Sequence, residues 1–363
     1  MGNDRRLKVL SAIVTDYVRT REPVGSRSLA ERYQLGVSPA TIRNDMAILE
    51  DEGYIHQPHT SAGRVPTEKG YRLFVDEVAR IKPLSAPERE AITALLSGAV
   101  DLEQVVARTV RVLAQLTGQL AVVEYPSLRR TALRHLELVA LGPSRLLLVI
   151  ITDTGRVEQR TVTFTGPGGR PATPSLSEVI DPVALERLRV RLNAALVGRR
   201  AAEVVPILTR LAQHAPDDER VLLAAVTGEL LAALRPDAEE RLVVAGTANL
   251  ARSTPDFSAI EPLLDAIEEQ VVLLRLFASE TRLGRPAGNG DDATAMRVSI
   301  GSENRDDALA EASVVTASYG PGQGDAVAHL GVIGPTRMDY PATMAAVRAV
   351  ARYLSRFLSG PEA

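Results

Sequence analysis

The 363-residue chain contains no cysteine. Disulfides, thiolate zinc sites and a cysteine nucleophile are therefore excluded, which fits a reducing compartment. A basic excess is missing too: 42 Lys and Arg stand against 45 Asp and Glu, a net charge of -3. Non-specific binding to a polyanion rests on clustered Lys and Arg, so any nucleic-acid contact has to be local. Even over residues 1–80 the balance is 12 basic against 11 acidic side chains. Long apolar runs are also absent. No run is longer than that of residues 146–151, which has the length of a buried strand and falls far short of the ~18 residues of a membrane span. The amino terminus leads into an amphipathic pattern, so neither a secretory leader nor a membrane anchor is expected, and the expected location is cytoplasmic.

Groups that could carry catalysis are equally sparse. The five histidines are at 56, 59, 135, 214 and 329, and only His56 and His59 are close in sequence. Without a third ligand they predict ordinary loop residues and no metal site. The glycines at 166, 168 and 169 and at 320, 322 and 324 lack the strand–loop–helix context of a phosphate cradle and read as turns. No Gly-x-Ser-x-Gly elbow accompanies the scattered carboxylates, of which Asp217-Asp218-Glu219 and Asp291-Asp292 read as solvated faces. The expectation is a protein that is not an enzyme and uses no cofactor.

What is present is 45% hydrophobic and 24% charged residues, enough for sizeable cores. The length suggests two or three domains. The first 80 residues are the most informative. Leu7, Leu10, Val14, Tyr17 and Val18 recur on one face and predict a helix over 5–20. Ser26 is expected to cap a second, short helix over 28–34, closed by Gly36. Ser38-Pro39 is a strong helix start, because the serine hydroxyl accepts an orphan N–H and proline at the first position wastes no donor. Ile42, Met46 and Leu49 give the third helix an apolar stripe, and Gly53 ends it. Its other face carries Ala40, Thr41, Arg43, Asn44 and Ala47, small or hydrogen-bonding groups suited to base edges.

Two extended segments follow, over 54–59 and 60–66, around a flexible tip. Three helices, a glycine turn and this wing, in this order, predict a winged helix-turn-helix that reads double-stranded DNA. The candidate DNA-binding residues are Ser38, Ala40, Thr41, Arg43 and Asn44 on the helix. On the wing they are Ser61, Gly63 and Arg64, with Arg64 at the tip reaching a phosphate or the minor groove. A further helix carries Tyr71, Phe74, Val75 and Val78 to a linker at Lys82, Pro83 and Pro87.

Beyond the head, a helical connector is expected over 88–118. Strands over 120–124, 135–141, 146–152 and 157–164 read as one antiparallel sheet. Helices return over 182–234, then a strand over 242–245 and a helix over 260–279. Strands over 296–300, 313–318 and 328–333 precede a last helix over 341–358. This order predicts an α+β body interrupted by an insertion. The expected division is 1–80, 81–170, 171–285 and 286–363.

Three segments resemble the HrcA-type heat-inducible transcription repressors of bacterial chaperone operons. They are Pro23-Val24-Gly25-Ser26 with Val37-Ser38-Pro39-Ala40-Thr41-Ile42-Arg43-Asn44-Asp45-Met46, then Thr60-Ser61-Ala62-Gly63-Arg64-Val65-Pro66-Thr67, and Gly334-Pro335-Thr336-Arg337-Met338-Asp339-Tyr340. Glu303-Asn304 shares the likeness. The resemblance implies a winged-helix head, a GAF-like body split around an inserted dimerisation domain at 171–285, and a homodimer on an inverted-repeat operator. It also implies activity sustained by a GroEL-type chaperonin, whose diversion by heat-damaged clients relieves repression. Arg337 and Asp339 either pair structurally or bracket a site, and the structural reading is favoured because ion pairs of that kind are common. The alternative is a metabolite-responsive winged-helix regulator that uses the GAF-like body as its sensor.

Overall fold

The computed structural model describes residues 2–60, 62–78, 90, 92, 94, 101–126, 131–142, 145–163, 181–233, 241–253, 285–286, 296–304, 306, 309–321 and 328–359. Outside these lie the expected linker at Lys82, Pro83 and Pro87, Ser61, the helix over 260–279, the glycines at 166, 168 and 169, Asp291-Asp292, and most of the connector before 101.

The head is built from α1 (Gly2–Thr20), α2 (Ser26–Arg32), α3 (Pro39–Asp51), the strand pair β1 (Ile55–His56) and β2 (Val65–Pro66), and α4 (Glu68–Leu73), which widens into a π turn over Phe74–Val78. Leu10, Ile13 and Val14 of α1 pack with Leu29, Ile42, Met46, Leu49 and Ile55 into one core. The second helix starts earlier than expected. Ser26 is its first residue, and Gly25 occupies the cap position without a side-chain bond. Gly53, at φ +77, turns the chain out of α3 into β1. The wing register is Ile55↔Pro66 and His56↔Val65.

The body centres on six antiparallel strands in the order β7-β3-β11-β10-β9-β8. They are β3 (Leu120–Glu124), β7 (Leu242–Ala245), β8 (Arg285–Pro286), β9 (Met296–Ile300), β10 (Ala312–Tyr319) and β11 (Ala328–Pro335). One face carries Val123, Val298, Val315, Leu330 and Val332. They pack against α5 (Leu102–Thr117) and α10 (Tyr340–Ser359), through Val106, Val110, Leu113, Val347, Val350 and Leu354. On the opposite face Leu120, Val122, Val314 and Ile333 pack with Leu250 of α9 (Thr247–Ser253).

The expected single sheet over 120–164 divides in two. Strand β3 belongs to the six-stranded sheet, whereas β4 (Leu133–Gly142), β5 (Arg145–Thr152) and β6 (Val157–Thr163) form a separate meander. Three helices, α6 (Pro182–Leu196), α7 (Ala201–Gln213) and α8 (Asp217–Ala233), cover that meander in a core of its own, through Leu136, Leu148, Ile150, Leu188, Leu192, Leu208 and Leu230. The chain therefore leaves the large sheet after β3 and returns beside it as β7, with Ala121 opposite Ala245. The boundary expected at 171 falls inside this unit, between β6 and α6. A strand pattern identifies a strand without saying which sheet it joins, and β4 to β6 form a sheet separate from that of β3.

Candidate nucleic-acid interface

Helix α3 begins where Ser38 Oγ accepts the Thr41 N–H at 3.2 Å, with Pro39 at the first helical position. Its inner side is fixed twice. Ile42, Met46 and Leu49 are buried in the head core, and so is Asp45, whose carboxylate takes a two-pronged bond from Arg5 of α1 at 2.7 and 2.9 Å. A forked guanidinium–carboxylate pair fixes orientation as well as distance, so α3 cannot rotate about its axis. A second buried carboxylate, Asp16, ties α1 to α2: it accepts from Arg19 at 2.6 Å, from Arg32 at 2.9 Å and from the Tyr33 hydroxyl. Burial, and then the Asp16 charge, raise the Tyr33 pKa, which keeps that hydroxyl a donor.

The outer side of α3 is therefore set by the inner one. Ser38, Ala40, Arg43, Asn44 and Ala47 are exposed and Thr41 half-exposed. Neither Arg43 nor Asn44 bonds through its side chain to another described residue. A cation and an amide at neighbouring exposed positions of a rigid helix, whose donors meet no other described residue, can meet base edges or phosphates.

The wing residues are placed differently. Ser61 lies outside the described residues. Gly63 faces the loop before α2 so closely that a Cβ there would sit 2.5 Å from the Val24 carbonyl carbon and oxygen. Its neighbour Arg64 exchanges backbone bonds with Val24, both at 2.9 Å, which adds a third short strand segment to the wing. This puts Arg64 at the base of the wing and not at its tip. Its guanidinium bonds to Glu50 of α3 at 2.8 Å. The tip is closed by Gln57, whose amide donates to the carbonyls of Thr60 and Ala62, both at 2.9 Å. Sequence reasoning missed Glu50, Gln57 and Asp45, since each acts through a partner chosen by the fold and no local pattern marks it.

His56 and His59 are exposed, and among the described residues no group of three or more His, Cys, Asp or Glu could hold a metal ion. Among the same residues no helix is long and apolar enough to cross a membrane.

Two family models match the chain. A DeoR-like helix-turn-helix domain covers residues 12–67, which brackets α2, α3 and the wing, and the HrcA protein C-terminal domain covers residues 103–344. The chain belongs to the HrcA family. Relatives named heat-inducible transcription repressor HrcA include one from Beutenbergia cavernae, 58% identical over 99% of this chain and 100% of its own. Another, from Streptomyces avermitilis, is 54% identical over 99% of both chains. A crystal structure of a hypothetical protein at 2.2 Å resolution shares 25% identity over 98% of each chain, with a TM-score of 0.61. The HrcA match runs from the start of α5 into α10, and so spans both the large sheet and the β4–β6 unit. It also takes in Gly334 to Tyr340 of the HrcA-like motif, where Met338 and Tyr340 are buried and Asp339 Oδ1 accepts the Ala342 N–H at 3.1 Å to cap α10.

Proposed function

We propose that this chain represses heat-shock chaperone genes by binding an inverted-repeat operator as a homodimer, with its active state sustained by a GroEL-type chaperonin. The observation that carries the reading is the outer face of α3. Arg43 and Asn44 are held outward, their donors unpaired among the described residues, by a helix whose inner face is locked to α1. In that role Asn44 reads a base edge, Arg43 a guanine or a phosphate, and Thr41 a phosphate or thymine methyl, with Ser38 and Ala40 against the backbone. Ser61, Gly63 and Arg64 flank the duplex on the wing side, and Arg64 exchanges Glu50 for a phosphate.

Two further observations support the finer parts. An antiparallel sheet with α5 and α10 on one face and α9 on the other agrees with a GAF-like body. For the dimer, α6 and the residue after it expose Val183, Val190 and Val197 at seven-residue intervals, 62%, 54% and 47% accessible. Such a stripe suits burial against a second copy. Two-fold symmetry would then offer two α3 helices to successive major grooves about 34 Å apart.

The test is selection from a random duplex pool by the full-length protein. Enrichment of a symmetric inverted repeat is expected, and its loss in Arg43→Ala with Asn44→Ala. Enrichment of no duplex, or of the same duplex by the double variant, refutes the reading.

A further inference from the structure

Between β9 and β10 the chain makes a 3-10 turn, Gly301–Glu303, that faces helix α4 of the head. The Glu68 carboxylate, in the first turn of α4, accepts the Ser302 N–H at 3.1 Å and the Ser302 hydroxyl at 2.5 Å. One helical turn further on, Arg72 donates to the Val298 carbonyl at 2.8 Å and to the Glu303 carboxylate, and its charge also meets Asp76 at 3.2 Å. The Arg72 side chain is only 11% exposed, so the joint is anchored on a sheltered guanidinium, while Glu68, Ser302 and Glu303 reach the surface. Gly301 has φ +54, and a Cβ there would sit 2.0 Å from Glu68 Oε1, so glycine is what lets the carboxylate close over the turn.

The turn is itself tied to the sheet. Glu303 accepts the Ile300 N–H at 3.0 Å, and the Asn304 amide donates to the carbonyls of Gly301, Leu309 and Ala312 at 2.8 to 2.9 Å. Beside it Tyr71 of α4 lies against Tyr340, with ring centroids 5.8 Å apart. The Tyr340 hydroxyl donates to the Thr336 carbonyl at 2.6 Å and lies 2.8 Å from Ser313 Oγ. The two body motifs, at 303–304 and 334–340, thus converge on one helix of the head.

We propose that this turn is a latch that sets the angle of the winged-helix head on the body, which makes Glu68 and Arg72 positioning residues for operator binding. The proposal rests on the dimeric inverted-repeat reading. Two heads can occupy two half-sites at once only if both recognition helices point the right way. A head free to swivel has to be ordered on the DNA, and the advantage of paired over single binding shrinks by that entropy. The latch fixes the angle in advance, and any change in the β9–β10 region of the body reaches the DNA-binding face through it.

The test uses the full-length protein, the inverted repeat recovered by selection, and a duplex carrying one half-site. Glu68→Ala is expected to weaken the inverted repeat about tenfold or more while leaving half-site binding within about twofold. It also flattens the preference for one spacer length. Ser302→Ala, which removes only the hydroxyl donor, shifts the same readings to a smaller degree. Gly301→Ala costs less in the Glu68→Ala background than alone, because the clash is gone.

Independently of DNA, the cysteine-free sequence allows paired spin labels at Arg27→Cys in the head and Glu311→Cys in the body, diluted into unlabelled protein. The distance distribution is narrow in the parent and broad with Glu68→Ala. Equal widths, or paired and half-site affinities falling together, overturn the latch. A parent protein that gains nothing from the second half-site overturns the operator reading instead, and the distance widths still decide the latch.

Discussion

At Ser38 a single hydroxyl satisfies the Thr41 N–H that α3 would otherwise leave unpaired at its start. Removing such a cap costs about 1 kcal/mol, so Ser38→Ala is expected to lower the unfolding free energy by that order. A denaturant titration that shows no loss would mean the cap does not stabilise the head. Tyr71 presents the opposite case, since its buried hydroxyl has no hydrogen-bond partner among the described residues. Burial, then Tyr340 and Tyr17, push its pKa well above the usual phenol value, and burial raises that of Tyr340 as well. Unfolded tyrosine ionises near pH 10, and the folded pKa lies above that. The contribution is therefore complete below about pH 10 and is lost as pH climbs past it. Tyr71→Phe should be neutral or stabilising by about 1 kcal/mol at pH 8, with a shallower alkaline loss. A fall of several kcal/mol would show that the hydroxyl has a partner.

Among the elements, α3 and the wing were legible because their signals are local. Ser38-Pro39 starts the helix, Ile42, Met46 and Leu49 mark its inner face, and Gly53 stops it, all within 16 residues of chain. The partition of strands was not legible. Residues 133–163 read as strands as readily as 120–124 do, yet among the described residues their strands pair only with one another, under helices that follow later in the chain. Arg64 escaped for the same reason, since Glu50 lies 14 residues away on another element. Gly63 is read differently once the fold is known, because its missing side chain lets the wing close on Val24. Gly63→Ala should therefore destabilise the head by about 1–3 kcal/mol through forced separation of these backbones. Thermal unfolding indistinguishable from the parent would contradict that close approach.

Across the whole molecule, a rigid DNA-reading head, a sheet that carries the proposed latch and a second unit with an apolar stripe are joined in one chain. Charge placed on the stripe should separate the copies. Val183→Asp with Val190→Asp is expected to yield a monomer by sedimentation that retains half-site binding and loses the gain from a full inverted repeat. A double variant that still sediments as a dimer moves the interface elsewhere. The proposed dependence on a chaperonin requires a marginally stable active state, in which ~1.4 kcal/mol changes the active fraction tenfold. The central claim is that the outer face of α3 reads base pairs, and the direct measurement is a binding titration of the full chain and Asn44→Ala. The duplexes are the selected inverted repeat and single-base-pair variants of it. The account predicts a loss of about 1–3 kcal/mol for Asn44→Ala, with discrimination abolished at one position in each half-site. A correctly folded Asn44→Ala protein that keeps both its affinity and its discrimination at every position would contradict it.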